Sequence, residues 1–150
     1  MLVMRQAHRD LSDLLSHDRV AGHDTQAVRE ILRQVAEHLQ YMHDTCGRIH
    51  GDLKPRNIVE VELADGTLVW ILIDLDASCI LGAKAAEKVT SSAYFPPELA
   101  RRELSSTDIL QVTASAQFEM WYFGLLVFQM CTLDGETVWK SSQAAGDSSR

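Results

Sequence analysis

Residues 49–57 read Ile49-His50-Gly51-Asp52-Leu53-Lys54-Pro55-Arg56-Asn57, and the reading of this stretch decides the fold. An acid, a cation and an amide are gathered around a proline: Asp52 and Lys54 are two residues apart, and Asn57 follows three later. Pro55 fixes its own φ near about −65° and biases Lys54 towards extended backbone, so a rigid loop is expected here and not a helical turn. A carboxylate that accepts a proton, a cation that holds a phosphate and a neutral oxygen ligand for Mg²⁺ are the parts that phosphoryl transfer uses.

The stretch resembles the catalytic loop of protein kinases, His-Arg-Asp-Leu-Lys-Pro-x-Asn, at every functional position except the arginine, where Gly51 stands. The resemblance implies that Asp52 accepts the proton of the substrate hydroxyl, that Lys54 steadies the γ-phosphate and that Asn57 holds Mg²⁺. Lys54 points to the Ser/Thr type, since tyrosine kinases usually place alanine or arginine near that position. A polar surface loop matching by chance is disfavoured by the length of the pattern and by further motifs at the expected distances.

Downstream, two β-rich runs, residues 58–64 and 67–73, flank Asp65-Gly66, which is a strong hairpin signal. With Asp65-Gly66 as a two-residue loop, Ala64 is expected to face Thr67, Val61 to face Trp70, Val59 to face Leu72 and Ile58 to face Ile73. The same register sets Asn57 opposite Asp74, with Cβ atoms about 4.5–5.5 Å apart on one face. An amide oxygen and a carboxylate would then meet at the open end as a Mg²⁺ site. Burial supports this register, because a one-residue slip moves Glu60 and Glu62 onto the face of Val59, Val61, Leu68, Trp70 and Leu72.

Asp74-Leu75-Asp76 stands where the family carries Asp-Phe-Gly. The resemblance makes Asp74 the metal-binding aspartate, and Asp76 replaces a glycine whose left-handed backbone aspartate tolerates better than most residues. Residues 90–98 resemble the Gly-Thr-x-x-Tyr-x-Ala-Pro-Glu segment: Tyr94, Pro97 and Glu98 match, and Ser91 replaces the threonine. That hydroxyl bonds the catalytic aspartate and lysine in the family, which makes Ser91 a supporting catalytic residue by resemblance. Residues 118–133 are apolar on all sides, so a helix buried around its whole circumference is expected. Trp121 and Gly124 match the Asp-x-Trp-x-x-Gly start of the family's central helix. Glu119 stands at the aspartate that anchors the catalytic-loop backbone, and its longer side chain is expected to reach that backbone less rigidly.

Upstream, Asp24-Thr25 is an N-cap signal, and Val28, Ile31, Leu32, Val35, Leu39 and Met42 repeat at helical spacing up to the stop at Gly47. His38, His43 and His50 lack the i, i+4 spacing of two ligands on one helix side and read as ordinary histidines. Leu2-Val3-Met4 looks like the end of a buried strand, and the stretch to Leu15 partly resembles the kinase hinge and the short helix after it. By that resemblance Met4 is the gatekeeper, backbone groups of Arg5 and Ala7 face the adenine of ATP, and Val59 is the adenine floor.

At 150 residues, 46% hydrophobic and 23% charged, the chain is expected to form one globular domain. Its net charge of −7 argues against nucleic acid or an anionic membrane as the main partner. Cys46, Cys79 and Cys131 are odd in number and widely spaced, as reduced intracellular thiols are. The longest apolar run, residues 120–127, is too short to span a bilayer, and the start carries no signal peptide, so a cytoplasmic location is expected by default.

The expected fold is α+β: a protein-kinase-like large lobe, mainly helical, with a short β-hairpin carrying the metal site. Residues 1–140 form that partial domain, and residues 141–150 are small and polar, as a disordered tail would be. No Gly-x-Gly pair occurs and the first lysine is Lys54, so neither the phosphate lid nor the phosphate-holding lysine of a complete kinase is present. Two functions follow. One is a Ser/Thr kinase domain transferring phosphate from Mg-ATP to a protein hydroxyl, here in part, with its own activity low and its apolar face needing a small lobe or partner. The other is a non-catalytic kinase-like interaction module, supported by the missing small lobe, Gly51, Asp76 and Glu119.

Overall fold

The computed structural model describes residues 6–18, 20–84, 94–97 and 113–132. The expectations for Leu2, Met4, Arg5, Ser91, Glu98 and the 141–150 tail lie outside the described residues.

Asp10 ends a short strand, β1 (Arg9–Asp10), and caps the helix α1 (Leu11–His17). Its carboxylate accepts from the Asp13 N–H at 2.8 Å, satisfying one of the donors that a helix start leaves open. Leu11, Leu14 and Leu15 share the buried face. Asp24 caps α2 (Thr25–Gln40) in the same manner, accepting from the Gln26 and Ala27 N–H groups. Val28, Ile31, Val35 and Leu39 form its buried stripe. A π-helical turn over Tyr41–Thr45 follows, and Gly47, at φ +60°, takes the left-handed conformation that ends the helical run.

The further strands and helix among the described residues are β2 (Arg48–Ile49), β3 (Ile58–Glu62), β4 (Leu68–Leu72), β5 (Cys79–Ile80) and α3 (Ala116–Cys131). The strands form a three-stranded antiparallel sheet in the order β1-β3-β4 and a separate β2-β5 pair. Ser115 caps α3 by accepting from the Phe118 N–H at 3.1 Å. The main core joins Leu11 and Leu15, the α2 stripe, Ile49, Leu53, Ile58 and Trp70 to Phe118, Tyr122, Leu126 and Met130. The mixed helix-and-sheet class expected from the sequence is the one observed. No helix among the described residues is long and apolar enough to cross a membrane.

The hairpin forms where expected, but in a different register. Ile58 pairs with Leu72, Val59 with Ile71, Glu60 with Trp70 and Val61 with Val69. Each partner is one residue earlier on β4 than the two-residue turn required. The loop has three residues, Ala64, Asp65 and Gly66: Leu63 N–H donates to Thr67 O at 2.8 Å and Gly66 N–H to Leu63 O at 3.0 Å. Gly66 lies at φ +83°, the left-handed residue that closes a three-residue hairpin loop. Asp65 stabilises the same turn by accepting from the Thr67 N–H at 2.9 Å.

The burial argument against this register fails because Glu60 is neutralised from outside the hairpin. Glu60 shares its face with Trp70 and is buried, and Arg9, opposite it on β1, donates to its carboxylate at 2.9 Å. Glu62 sits exposed at the strand end. Trp70 joins Ile58 in the main core, whereas Val59 and Val61 lie on the opposite face with Ile71 and Val69. The β4 edge is covered at Trp70, whose N–H donates to Gln34 Oε1 of α2 at 2.7 Å.

A second correction concerns α3. Phe118, Glu119, Tyr122, Leu126 and Met130 are buried, but Met120, Trp121 and Phe128 are 46%, 41% and 38% exposed. One face of this helix meets the described core, and the burial expected around its whole circumference is not found.

Candidate active site

The loop from His50 to Asn57 is held from below by α3. Glu119 is fully buried and its Oε1 accepts from the backbone N–H groups of His50 at 2.7 Å and Gly51 at 2.9 Å. Its Oε2 meets His43 Nε2 at 2.7 Å. The longer side chain therefore does reach the loop, and both carboxylate oxygens are engaged, as a buried carboxylate requires. His43 comes from the π-helical turn, so the irregular end of α2 supplies the third partner of this anchor. The sequence reading treated His43 as an ordinary histidine, and only its 76-residue separation from Glu119, closed by the fold, gives it this role.

His50 is fully buried and fixes the loop a second time. Asp52 N–H donates to its Nδ1 at 3.3 Å, so Nδ1 is an acceptor and Nε2 carries the proton donated to Ile73 O at 3.0 Å. One neutral tautomer satisfies both bonds and ties the His50–Asn57 loop to the end of β4. His38 bonds the Gln34 carbonyl of its own helix at 2.7 Å. No group of three potential His, Cys, Asp or Glu ligands occurs among the described residues.

Gly51 has a reason to be glycine that the sequence does not display. It lies at φ +82°, and a Cβ placed on it would stand 2.4 Å from the Ala77 carbonyl oxygen. The loop thus packs backbone to backbone against the 3-10 turn Leu75–Ala77. The arginine found at this position in the resembling motif has no room here.

Asp52 is 2% exposed and gathers the other two groups. Lys54 Nζ donates to Asp52 Oδ2 at 2.6 Å. Asn57 is also buried, and its Nδ2 donates to Asp52 O at 2.8 Å and to Oδ2 at 3.3 Å. With its nitrogen committed to Asp52, the Asn57 amide turns its oxygen away from that carboxylate. The short 3-10 turn Pro55–Asn57, started by the proline, produces this return of the chain upon itself.

Asp74 lies at φ 61°, ψ 69°, the left-handed region. It is the one non-glycine residue with positive φ among the described residues, and such strain at an aspartate is concentrated at functional sites. The sequence reading reserved that conformation for Asp76, which instead lies within the 3-10 turn. Asn57 does not face Asp74 directly. Its carbonyl accepts from the Ile73 N–H at 2.9 Å, so Asp74 follows one residue beyond the paired position. The two residues remain at the same end of the same strand pair.

Of the adenine-facing residues expected, Val59 is buried on the sheet face opposite the main core. Ala7 is exposed, next to His8, whose N–H donates to Glu60 O at 2.9 Å. Hence Ala7 runs beside the strand that carries Val59.

Comparison with known proteins adds to this geometry. The family model described as protein kinase domain matches residues 1–149. The zebrafish (Danio rerio) inhibitor of nuclear factor kappa-B kinase subunit alpha is 32% identical over 125 residues, 81% of this chain and 15% of that protein. The serine/threonine-protein kinase ppk21 of Schizosaccharomyces pombe is 30% identical over 117 residues, 71% of this chain and 19% of that protein. The chain therefore spans less than a fifth of either relative. Among solved structures, the Cydia pomonella granulovirus kinase PK-1 superposes with a TM-score of 0.61 at 20% identity, covering 88% of this chain and 44% of that one, a likeness of fold.

Proposed function

The chain belongs to the protein kinase domain family, and from that premise we propose that it carries the phosphoryl-transfer site of a Ser/Thr-type kinase, passing phosphate from Mg-ATP to a protein hydroxyl. The observation that carries this reading is the Asp52 carboxylate, buried yet bonded to Lys54 Nζ at 2.6 Å and Asn57 Nδ2 at 3.3 Å.

Asp52 is held by both neighbours in one orientation, fit to accept the proton of a substrate hydroxyl. Lys54 sits where its charge is shared between Asp52 and a phosphate placed above it. Asn57, its nitrogen committed to Asp52, offers an amide oxygen, and Asp74 offers a carboxylate from the left-handed turn at the end of β4. Two hard oxygen donors fit Mg²⁺, which keeps several waters and takes the rest of its shell from phosphate. When bound, that ion neutralises charge on the phosphates. Ser91 would steady Asp52 and Lys54, and Val59 with the backbone of Arg5 and Ala7 would receive the adenine. A cytoplasmic location is part of the same reading.

The test is transfer of labelled phosphate from ATP to a serine-containing acceptor protein, with nucleotide binding followed in parallel. Asp52→Asn is expected to lower transfer by about 10²–10⁴-fold, the usual worth of a positioned base, and to leave nucleotide binding in place. Equal transfer by the variant refutes the role of Asp52. Nucleotide binding with transfer still absent once a small lobe or partner is supplied supports the non-catalytic interaction module instead.

A further inference from the structure

Between Lys54, Pro55 and Arg56 on one side and α3 on the other lies a pocket of about 280 Å³, completed by Ser12, Tyr94 and Gln129. Two of these side chains are cations and none is an acid, in a chain of net charge −7. The charge of Lys54 is already committed to Asp52. Arg56 is exposed and takes part in none of the ion pairs among the described residues. Its guanidinium is thus the cation of the pocket without an ion-pair partner among the described residues.

The opposite wall is polar and neutral. Tyr94 donates to Gln129 Oε1 over a long 3.4 Å, a bond weak enough to be exchanged for a better acceptor. Burial pushes the Tyr94 phenol above its ordinary pKa while the nearby charge of Arg56 pulls the other way, so the hydroxyl remains a donor within the field of the guanidinium. A fork of five N–H donors beside a phenolic O–H is a receptor for a planar or tetrahedral anion.

We propose that this pocket receives an acidic side chain, a carboxylate or a phosphorylated residue, of the substrate polypeptide close to its acceptor hydroxyl. This rests on the phosphoryl-transfer reading for the position of the acceptor, and it adds the class of substrate. Lys54 provides the spatial link, since the same side chain lines the pocket and bonds Asp52. An extended polypeptide advances about 3.3–3.6 Å per residue. A segment with its hydroxyl at Asp52 therefore presents a near neighbour to a pocket one lysine side chain away. A basic residue at that place would meet Arg56 and be repelled, which gives discrimination as well as attraction.

The experiment measures binding of labelled peptides to the chain by fluorescence anisotropy, so that it does not depend on turnover. Each peptide carries one serine acceptor flanked by aspartate, phosphoserine, alanine or lysine. The acidic peptides are expected to bind about tenfold more tightly than the alanine peptide, the effect of one charged hydrogen-bonded pair, and the lysine peptide more weakly still. Arg56→Glu should reverse the order, Arg56→Lys should keep part of it, and Arg29→Glu, the same charge change on exposed α2 surface, should leave it intact. Added salt should weaken the preference. A phosphoserine peptide that outbinds aspartate names phosphate as the better occupant, and the reverse names carboxylate. Equal binding of all peptides, no binding of any, or an unchanged order in Arg56→Glu overturns the proposal. Discrimination by Arg56 combined with phosphate transfer that ignores Asp52→Asn leaves the docking pocket standing and removes the catalytic reading.

Discussion

Replacing Gly51 by alanine adds one methyl group to the most crowded point of the loop. Two terms oppose it. Left-handed backbone at φ +82° disfavours a residue with a Cβ by about 1–2 kcal/mol. The new carbon would also stand 2.4 Å from the Ala77 carbonyl oxygen, a backbone atom that moves only with its whole turn, and overpacking of this kind destabilises by about 1–3 kcal/mol. Alanine stiffens the unfolded chain and returns about 0.4–1 kcal/mol. Gly82 separates the terms, because it has the same φ of +82° and nothing within 4 Å of an added Cβ. Gly51→Ala should therefore be less stable than Gly82→Ala by about 1–3 kcal/mol, since the conformational terms cancel between them. Urea denaturation followed by tryptophan fluorescence measures both, with buried Trp70 as the reporter. Gly51→Ala should also weaken any nucleotide or peptide binding that depends on Asp52, while Gly82→Ala should not. If the two variants agree within about 0.5 kcal/mol, near the noise of such comparisons, the close approach of Gly51 to Ala77 is not a feature of the folded chain.

Glu119→Ala should destabilise the chain by about 3–5 kcal/mol by leaving the His50 and Gly51 N–H groups buried without acceptors, and Glu119→Gln, which keeps one oxygen, should lose visibly less in the same denaturation experiment. Asn57→Ala and Asp74→Ala should each remove the enhancement of nucleotide binding by Mg²⁺, read by titration with and without the ion; an enhancement that survives both changes would exclude these residues as ligands. Glu30, bonded first to Arg33 and then to Gln34, has its pKa lowered from 4.5 to about 2. Its contribution is accordingly present above the unfolded value near 4.5 and lost as pH falls through about 2. The melting-temperature difference between the natural chain and Glu30→Gln should shrink over that window, and should shrink at any pH when salt is added, because the pair is exposed.

Much of this molecule is legible in its sequence because it is decided within a few residues. Asp24 caps α2 through bonds that span two or three positions. The α2 stripe follows from helical spacing alone, and the Asp52, Lys54 and Asn57 constellation closes within five residues around Pro55. The register of the hairpin was not of this kind. Asp65-Gly66 is compatible with a two-residue or a three-residue loop, and the pattern of apolar residues chose the wrong one because it counted Glu60 as a group that must face water. Arg9, 51 residues earlier, pairs that carboxylate and makes its burial tolerable. Separation in sequence likewise hides the role of Gly51, which depends on the backbone of Ala77, and the role of His43, which depends on Glu119. A local pattern records the preferences of a side chain for water or for a helix. It holds no record of the partner that the fold brings to a buried charge, or of the backbone atom that a missing Cβ lets approach, because those are set by packing between segments far apart in the chain.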